Sequence, residues 1–114
     1  MALRRKLSSE GFTEKAQTVN LTTANDVIIE LAAMLKPVGP TNFQFRKLGD
    51  ELKLLEINPR ISSATSIRIA FGYNESSMSV EYFLNGIVPK QPITKHGYAV
   101  RYIEEKVFYD SHNI

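Results

Sequence analysis

Gln44, Glu56 and Asn58, with Arg60 two residues further on, are the side chains of this 114-residue chain whose types and spacing could do chemistry. Three of them carry oxygen donors, and the fourth is a cation set just past Pro59. Magnesium takes oxygen ligands and usually keeps substrate phosphates in its shell. One carboxylate with two amides is a weak site alone, and becomes a good one when a nucleotide's phosphates bring the remaining charge. Arg60, following a rigid proline, suits bidentate pairing with a phosphoryl oxygen. Positioning plus charge neutralisation is what phosphoryl transfer asks of a protein.

The elements that must position these residues form a β-hairpin. Phe43 and Phe45 alternate with Asn42, Gln44 and Arg46 on the outgoing strand, and Leu52 to Asn58 return after Gly49-Asp50. Residues two apart on a strand share a face. If Phe43, Phe45, Leu55 and Ile57 form one apolar face, cross-strand partners sum to an even number, such as 43 with 57 or 43 with 55. Gln44, Glu56 and Asn58 then share the opposite face, and a one-residue slip breaks both groupings. An ordinary solvent-washed strand side has the same composition, since antiparallel sheets commonly carry one wet face. On chemistry alone that plainer reading is the stronger one. Asn58-Pro59-Arg60-Ile61-Ser62-Ser63 likewise reads as a turn into a capped helix.

Around the hairpin the chain reads as mixed α and β. Ala2 to Ser8 is a short basic strand and Phe12 to Val19 a second one after the Gly11 turn. Arg4, Arg5 and Lys6 are expected on a solvated edge-strand face, with phosphate contact the lesser alternative. Thr23 and Asp26 stand at capping-box spacing ahead of a helix whose Ile28, Leu31 and Leu35 are expected to be core, and which Pro37 ends. Ser62 and Ser63 offer N-caps for a short helix holding Ile67, Ala70 and Phe71 and closed by Gly72. A second helix is expected over Ser77 to Leu84 with Gly86 as its C′ residue, and a last strand over Tyr98 to Tyr109.

Composition narrows the function classes. With 43% hydrophobic and 23% charged residues, the chain is ordinary globular material for one domain, residues 1–114. A formal charge of +2 without a clustered basic face argues against nucleic acid as a partner. No apolar run has membrane-spanning length, so no membrane partner is expected. There are no cysteines, which excludes disulfides, thiol catalysis and thiolate zinc sites and suits a cytoplasmic location. His96 and His112 lack neighbouring ligands, and Glu104 and Glu105, being adjacent, would point to opposite faces of a strand.

The strings Gly39-Pro40-x-Asn42-x-Gln44, Glu56-Ile57-Asn58-Pro59-Arg60-x-Ser62 and Gly72-x-Asn74 change the balance. In this order they resemble the C-terminal part of ATP-grasp enzymes, most nearly the carbamoyl-phosphate synthase large-chain type. The resemblance covers roughly residues 11–86, and the Glu-Ile-Asn-Pro-Arg core is its specific part. It implies an α+β fold, an antiparallel β-sheet with helices packed on one face, as the C-terminal half of the ATP-grasp fold. It implies ATP with magnesium (or manganese) as cofactors. Gln44, Glu56 and Asn58 would be metal ligands and, with Arg60, would bind the nucleotide. Arg60 would also be the catalytic residue, at the transferred phosphoryl group or an acyl phosphate. Gln44, where many relatives carry an acid, suggests the carbamoyl-phosphate synthase branch. Ser63-Ala64-Thr65 departs from relatives and leaves the substrate-side loop open.

The implied enzyme is an ATP-dependent carboxylate–amine ligase or carbamoyl-phosphate synthase-like enzyme acting on a carboxylate-type small molecule. In that family ATP lies between two subdomains, and no glycine-rich phosphate loop occurs in these residues. The chain is therefore expected to be a fragment, the second grasp subdomain, inactive alone and partnered by the missing N-terminal part. Uncovered strand edges at Ala2 to Ser8 and Tyr98 to Tyr109 would favour a truncation-driven homodimer. The alternative is a non-catalytic interaction module that retains the subdomain fold.

Overall fold

The computed structural model describes residues 1–20 and 22–109, apart from the Thr23 side chain. Five strands and three helices follow in the order β1 (Leu3–Leu7), β2 (Thr13–Thr18), α1 (Thr22–Leu35), β3 (Asn42–Leu48), β4 (Glu51–Asn58), α2 (Thr65–Ala70), α3 (Glu75–Asn85) and β5 (Tyr98–Val100). The architecture is α+β with antiparallel strands, as expected. The strands divide into two sheets, however: β1-β2-β5, with β2 in the middle, and the β3-β4 hairpin.

Helix α2 lies against the three-stranded sheet. Ile67 and Phe71, one helical turn apart, are buried with Ala16 of β2, and Met1, Leu3 and Ala99 pack around them. Ala16 pairs with Arg5 on one side and Ala99 on the other, so the face that carries this small core also carries Arg5.

The helix ends follow local chemistry, with shifts of a residue or two. Helix α3 starts at Glu75, two residues before the expected Ser77. Asn74 caps it by accepting from the Ser77 N–H at 3.1 Å. Gly86 ends it at φ +67°, a left-handed conformation that glycine reaches without strain. Ser62 is not the cap of α2. That position is Ala64, and the Ser62 hydroxyl accepts from the Ala64 N–H in the preceding turn at 3.2 Å. Helix α1 begins one residue ahead of the expected Thr23 cap, whose side chain lies outside the described residues.

Two expectations are corrected. The first is the packing of α1. Ala24 is buried and Ile28 and Leu31 are half-buried, but Leu35 is exposed and so are Ile29 and Met34. Among the described residues no other element packs extensively along this helix, so its apolar stripe finds little to bury against. The Cα radius of gyration, 17.0 Å, reflects such openness; a compact domain near this length has about 13 Å. The second is the last strand, which ends at Val100 rather than Tyr109. After the Arg101 N–H donates to the Glu14 carbonyl, β2 offers no further partner, and residues 102–108 have no ladder to join. His112 lies outside the described residues. Among these, no helix is long and apolar enough to cross a membrane.

Candidate functional site

The hairpin register places the expected trio together. Asn42 pairs with Asn58, Phe43 with Ile57 and Gln44 with Glu56, all even sums. Asn42, Gln44, Glu56 and Asn58 therefore share one face. The Gln44 carboxamide nitrogen donates to Glu56 Oε2 at 3.0 Å. Beyond Gln44 the register slips by one: Phe45 pairs with Leu54, and Leu55 is left out of the ladder as a bulge. The expected single apolar face of Phe43, Phe45, Leu55 and Ile57 is thus broken, and Leu55 is 62% exposed. A bulge of this kind bends its strand and increases the local twist.

Burial is graded across the polar face. Asn42 is buried, Gln44 and Asn58 are half-buried, and Glu56 and Arg60 are exposed. At the buried end a hydrogen-bonded chain of side chains holds the loop that carries Arg60. Asn42 donates to the Arg60 carbonyl at 2.6 Å and accepts from Arg68 Nη2 at 2.8 Å. Arg68 Nη1 lies 3.6 Å from Glu75, whose other oxygen accepts from the Ser62 N–H at 3.1 Å. The Arg60 N–H donates to the Asn58 carbonyl at 2.9 Å. The backbone on either side of Arg60 is thereby fixed while its side chain is exposed, donating among the described residues to the Ile61 carbonyl at 3.3 Å.

Two residues of this site are not among the expected metal and nucleotide ligands. Arg5, expected on a solvated edge face, crosses from the three-stranded sheet to the hairpin. Its Nη2 donates to Gln44 Oε1 at 2.6 Å and its Nη1 to the Thr13 hydroxyl at 3.3 Å. Burial holds its guanidinium below the usual arginine range; Arg68 and Arg60 act in the same direction, and Glu56 opposes them. The site thus gathers around Arg5 two further guanidinium groups, Arg60 and Arg68, and the exposed carboxylate of Glu56. The available signal for Arg5 was parity: it stands between Leu3 and Leu7 at two-residue spacing, on the apolar side of β1, whereas Arg4 and Lys6 are exposed. Arg68 follows the buried Ile67 by one residue, and its partner Glu75 stands on the next helix, past the Gly72 turn, where the periodicity of α2 no longer applies.

The donor set suits a hard divalent cation only in company. Gln44, Glu56 and Asn58 offer oxygens with a single formal charge. The Asn58 carboxamide nitrogen is buried without a hydrogen-bond partner among the described residues, so internal contacts leave this side chain incompletely used. No cluster of three or more His, Cys, Asp or Glu side chains that could hold a metal by itself occurs among the described residues. The residues present therefore fit magnesium that arrives with phosphates, and the surrounding cations fit the phosphates.

A family model described as "ATP-grasp in the biosynthetic pathway with Ter operon" matches residues 1–106, which include every residue of the site. No characterised protein and no solved structure matches the chain.

Proposed function

The chain belongs to this ATP-grasp family, and on that premise we propose that it is the magnesium- and nucleotide-binding subdomain of an ATP-dependent ligase working through an acyl phosphate. The observation that carries the proposal is the Gln44–Glu56 pair, in contact across one face of the hairpin with Arg5 on the same glutamine. Gln44, Glu56 and Asn58 would hold magnesium or manganese. When bound, the ion neutralises charge on the ATP phosphates. Arg60, on a loop anchored at both its N–H and its carbonyl, would pair with oxygens of the transferred phosphoryl group or of the acyl phosphate.

The reaction class is carboxylate activation. A substrate carboxylate oxygen attacks the γ-phosphorus and ADP departs; a nitrogen nucleophile then attacks the acyl carbon and inorganic phosphate departs. The amide at position 44 is the basis for placing the enzyme nearest the carbamoyl-phosphate synthase branch. A cytoplasmic setting suits a chain without cysteines.

The site is one wall of a cleft in this proposal. Glu56 and Arg60 stand exposed, whereas small-molecule sites enclose most of a ligand's surface. The adenine contacts and the phosphate-covering loop would come from residues beyond these 114, so the chain alone is inactive and binds magnesium nucleotide weakly.

The test uses the intact enzyme that carries this chain. With MgATP and hydroxylamine across a panel of small carboxylates, the wild type is expected to form a hydroxamate that traps the acyl phosphate. Glu56→Gln should lower that rate by about 10²- to 10³-fold, the usual effect of losing one preorganised charge-stabilising group. Its folding stability should stay within about 0.5 kcal/mol, because Glu56 is exposed. Wild-type rates in Glu56→Gln would refute the site, and an intact protein that forms no ATP-dependent product would point to an interaction module.

A further inference from the structure

Arg5 occupies the place where the site's ligands must change partners, and the geometry constrains how. In the structure Gln44 turns its nitrogen toward Glu56 and its oxygen toward Arg5. For one ion to sit between Gln44 and Glu56, both must offer it oxygens. The carboxamide of Gln44 must then turn over, which brings its NH₂ to face the Arg5 guanidinium. Two donors cannot share a hydrogen bond, so Arg5 must let go. Among the described residues two of its five N–H bonds are engaged, one on Gln44 and one on buried Thr13. The Thr13 contact would keep the guanidinium at the site as its other donors come free, and phosphate oxygens are the acceptors that enter with the ion.

We propose that Arg5 is a placeholder cation. Without nucleotide it holds Gln44 turned away from the metal position, and with magnesium nucleotide it transfers its hydrogen bond from Gln44 to a phosphate oxygen. The inference rests on the magnesium-nucleotide reading of this site. It assigns to Arg5 a binding role toward phosphate and a gating role toward the metal. Metal and nucleotide then enter together: the ion alone must displace Arg5 from Gln44 with nothing to receive it.

Because the two roles have opposite signs, they can be separated by experiment. In the intact enzyme, Mn²⁺ alone is the probe for the metal position, followed by its paramagnetic signal, and MgATP is titrated by calorimetry. Arg5→Met keeps the half-buried stem and removes the guanidinium. It is expected to weaken MgATP binding by about tenfold or more, the scale of a charge-assisted hydrogen bond, and to strengthen binding of Mn²⁺ alone severalfold. Arg5→Lys keeps the charge but cannot bridge Thr13 and Gln44 as a planar fork does. It should weaken MgATP severalfold while leaving Mn²⁺ alone as weak as in the wild type. A merely structural role would weaken both ligands together. That result, or no change in either variant, overturns the proposal. If Glu56→Gln also leaves MgATP affinity unchanged, it is the nucleotide-site reading that has failed; a large Glu56→Gln effect with a silent Arg5 overturns the placeholder alone.

Discussion

Removing Glu75 tests the support beneath the site. Its carboxylate is 3.6 Å from Arg68 Nη1, and the two side chains are 7% and 16% exposed. It also accepts the Ser62 N–H. Among the described residues, Glu75→Ala leaves Arg68 with Asn42 as its remaining side-chain hydrogen-bond partner, the Tyr73 ring 6.0 Å away, and a buried Nε that already has no partner. Stranding one member of a buried pair costs about 3–5 kcal/mol. The length of the contact and the residual exposure of Arg68 place this pair near the lower end. An unmet buried N–H at Ser62 adds about 1–3 kcal/mol, not fully additive because the groups share one carboxylate. The expected loss is about 3–4 kcal/mol. At roughly 2.1 cal/mol/K per residue, the entropy of unfolding is about 0.24 kcal/mol/K, so the melting temperature should fall by roughly 12–17 °C. Urea titrations and thermal melts followed by circular dichroism measure both quantities. The double variant Arg68→Met/Glu75→Leu replaces the pair with apolar groups and should recover part of the loss, because the stranded charge is gone while the Ser62 N–H and Asn42 Oδ1 still lack their partners. A loss below about 1 kcal/mol in Glu75→Ala, or a double variant no better than the summed single changes, would refute the idea that this pair anchors the Arg60 loop.

Two further outcomes follow from the same geometry. Gly39 has φ +101°, and a Cβ there would lie 3.1 Å from Phe83 Cζ. Gly39→Ala should cost roughly 1–3 kcal/mol, checked by calorimetry; adding Phe83→Ala should return only part of it, because the backbone strain remains. The Tyr73 phenol is raised above its ordinary value of 10.0, chiefly by burial and also by Glu75, with Arg68 opposing. Its folded pKa exceeds the unfolded one, so its contribution to stability is complete below pH 10 and declines as pH rises through the folded value. Ultraviolet titration of tyrosinate should show that Tyr73→Phe removes a late-ionising phenol, and loss of an ordinary one instead would contradict the burial assigned to it.

The sequence by itself determined that Gln44, Glu56 and Asn58 share one face of the hairpin. Strand periodicity is local, so the alternation on the two strands was enough to put Gln44, Glu56 and Asn58 on the same side, while the pairing of Gln44 with Glu56 itself came from the tertiary structure. The end of α3 at Gly86 is similarly local, since it needs one glycine at one conformation. Only the tertiary structure decided what surrounds that face. The bulge at Leu55 interrupts an alternation that gave no sign of it, because a bulge is a compromise between two strands rather than a property of one. Arg5 reaches Gln44 across 39 positions of sequence, and Arg68 reaches Asn42 across 26. Such pairs depend on how sheet, helix and hairpin dock. The apolar stripe of α1 makes the same point in reverse. Its spacing specifies a helix with a face to bury, but burial needs an opposing surface, and among the described residues no element packs extensively along it.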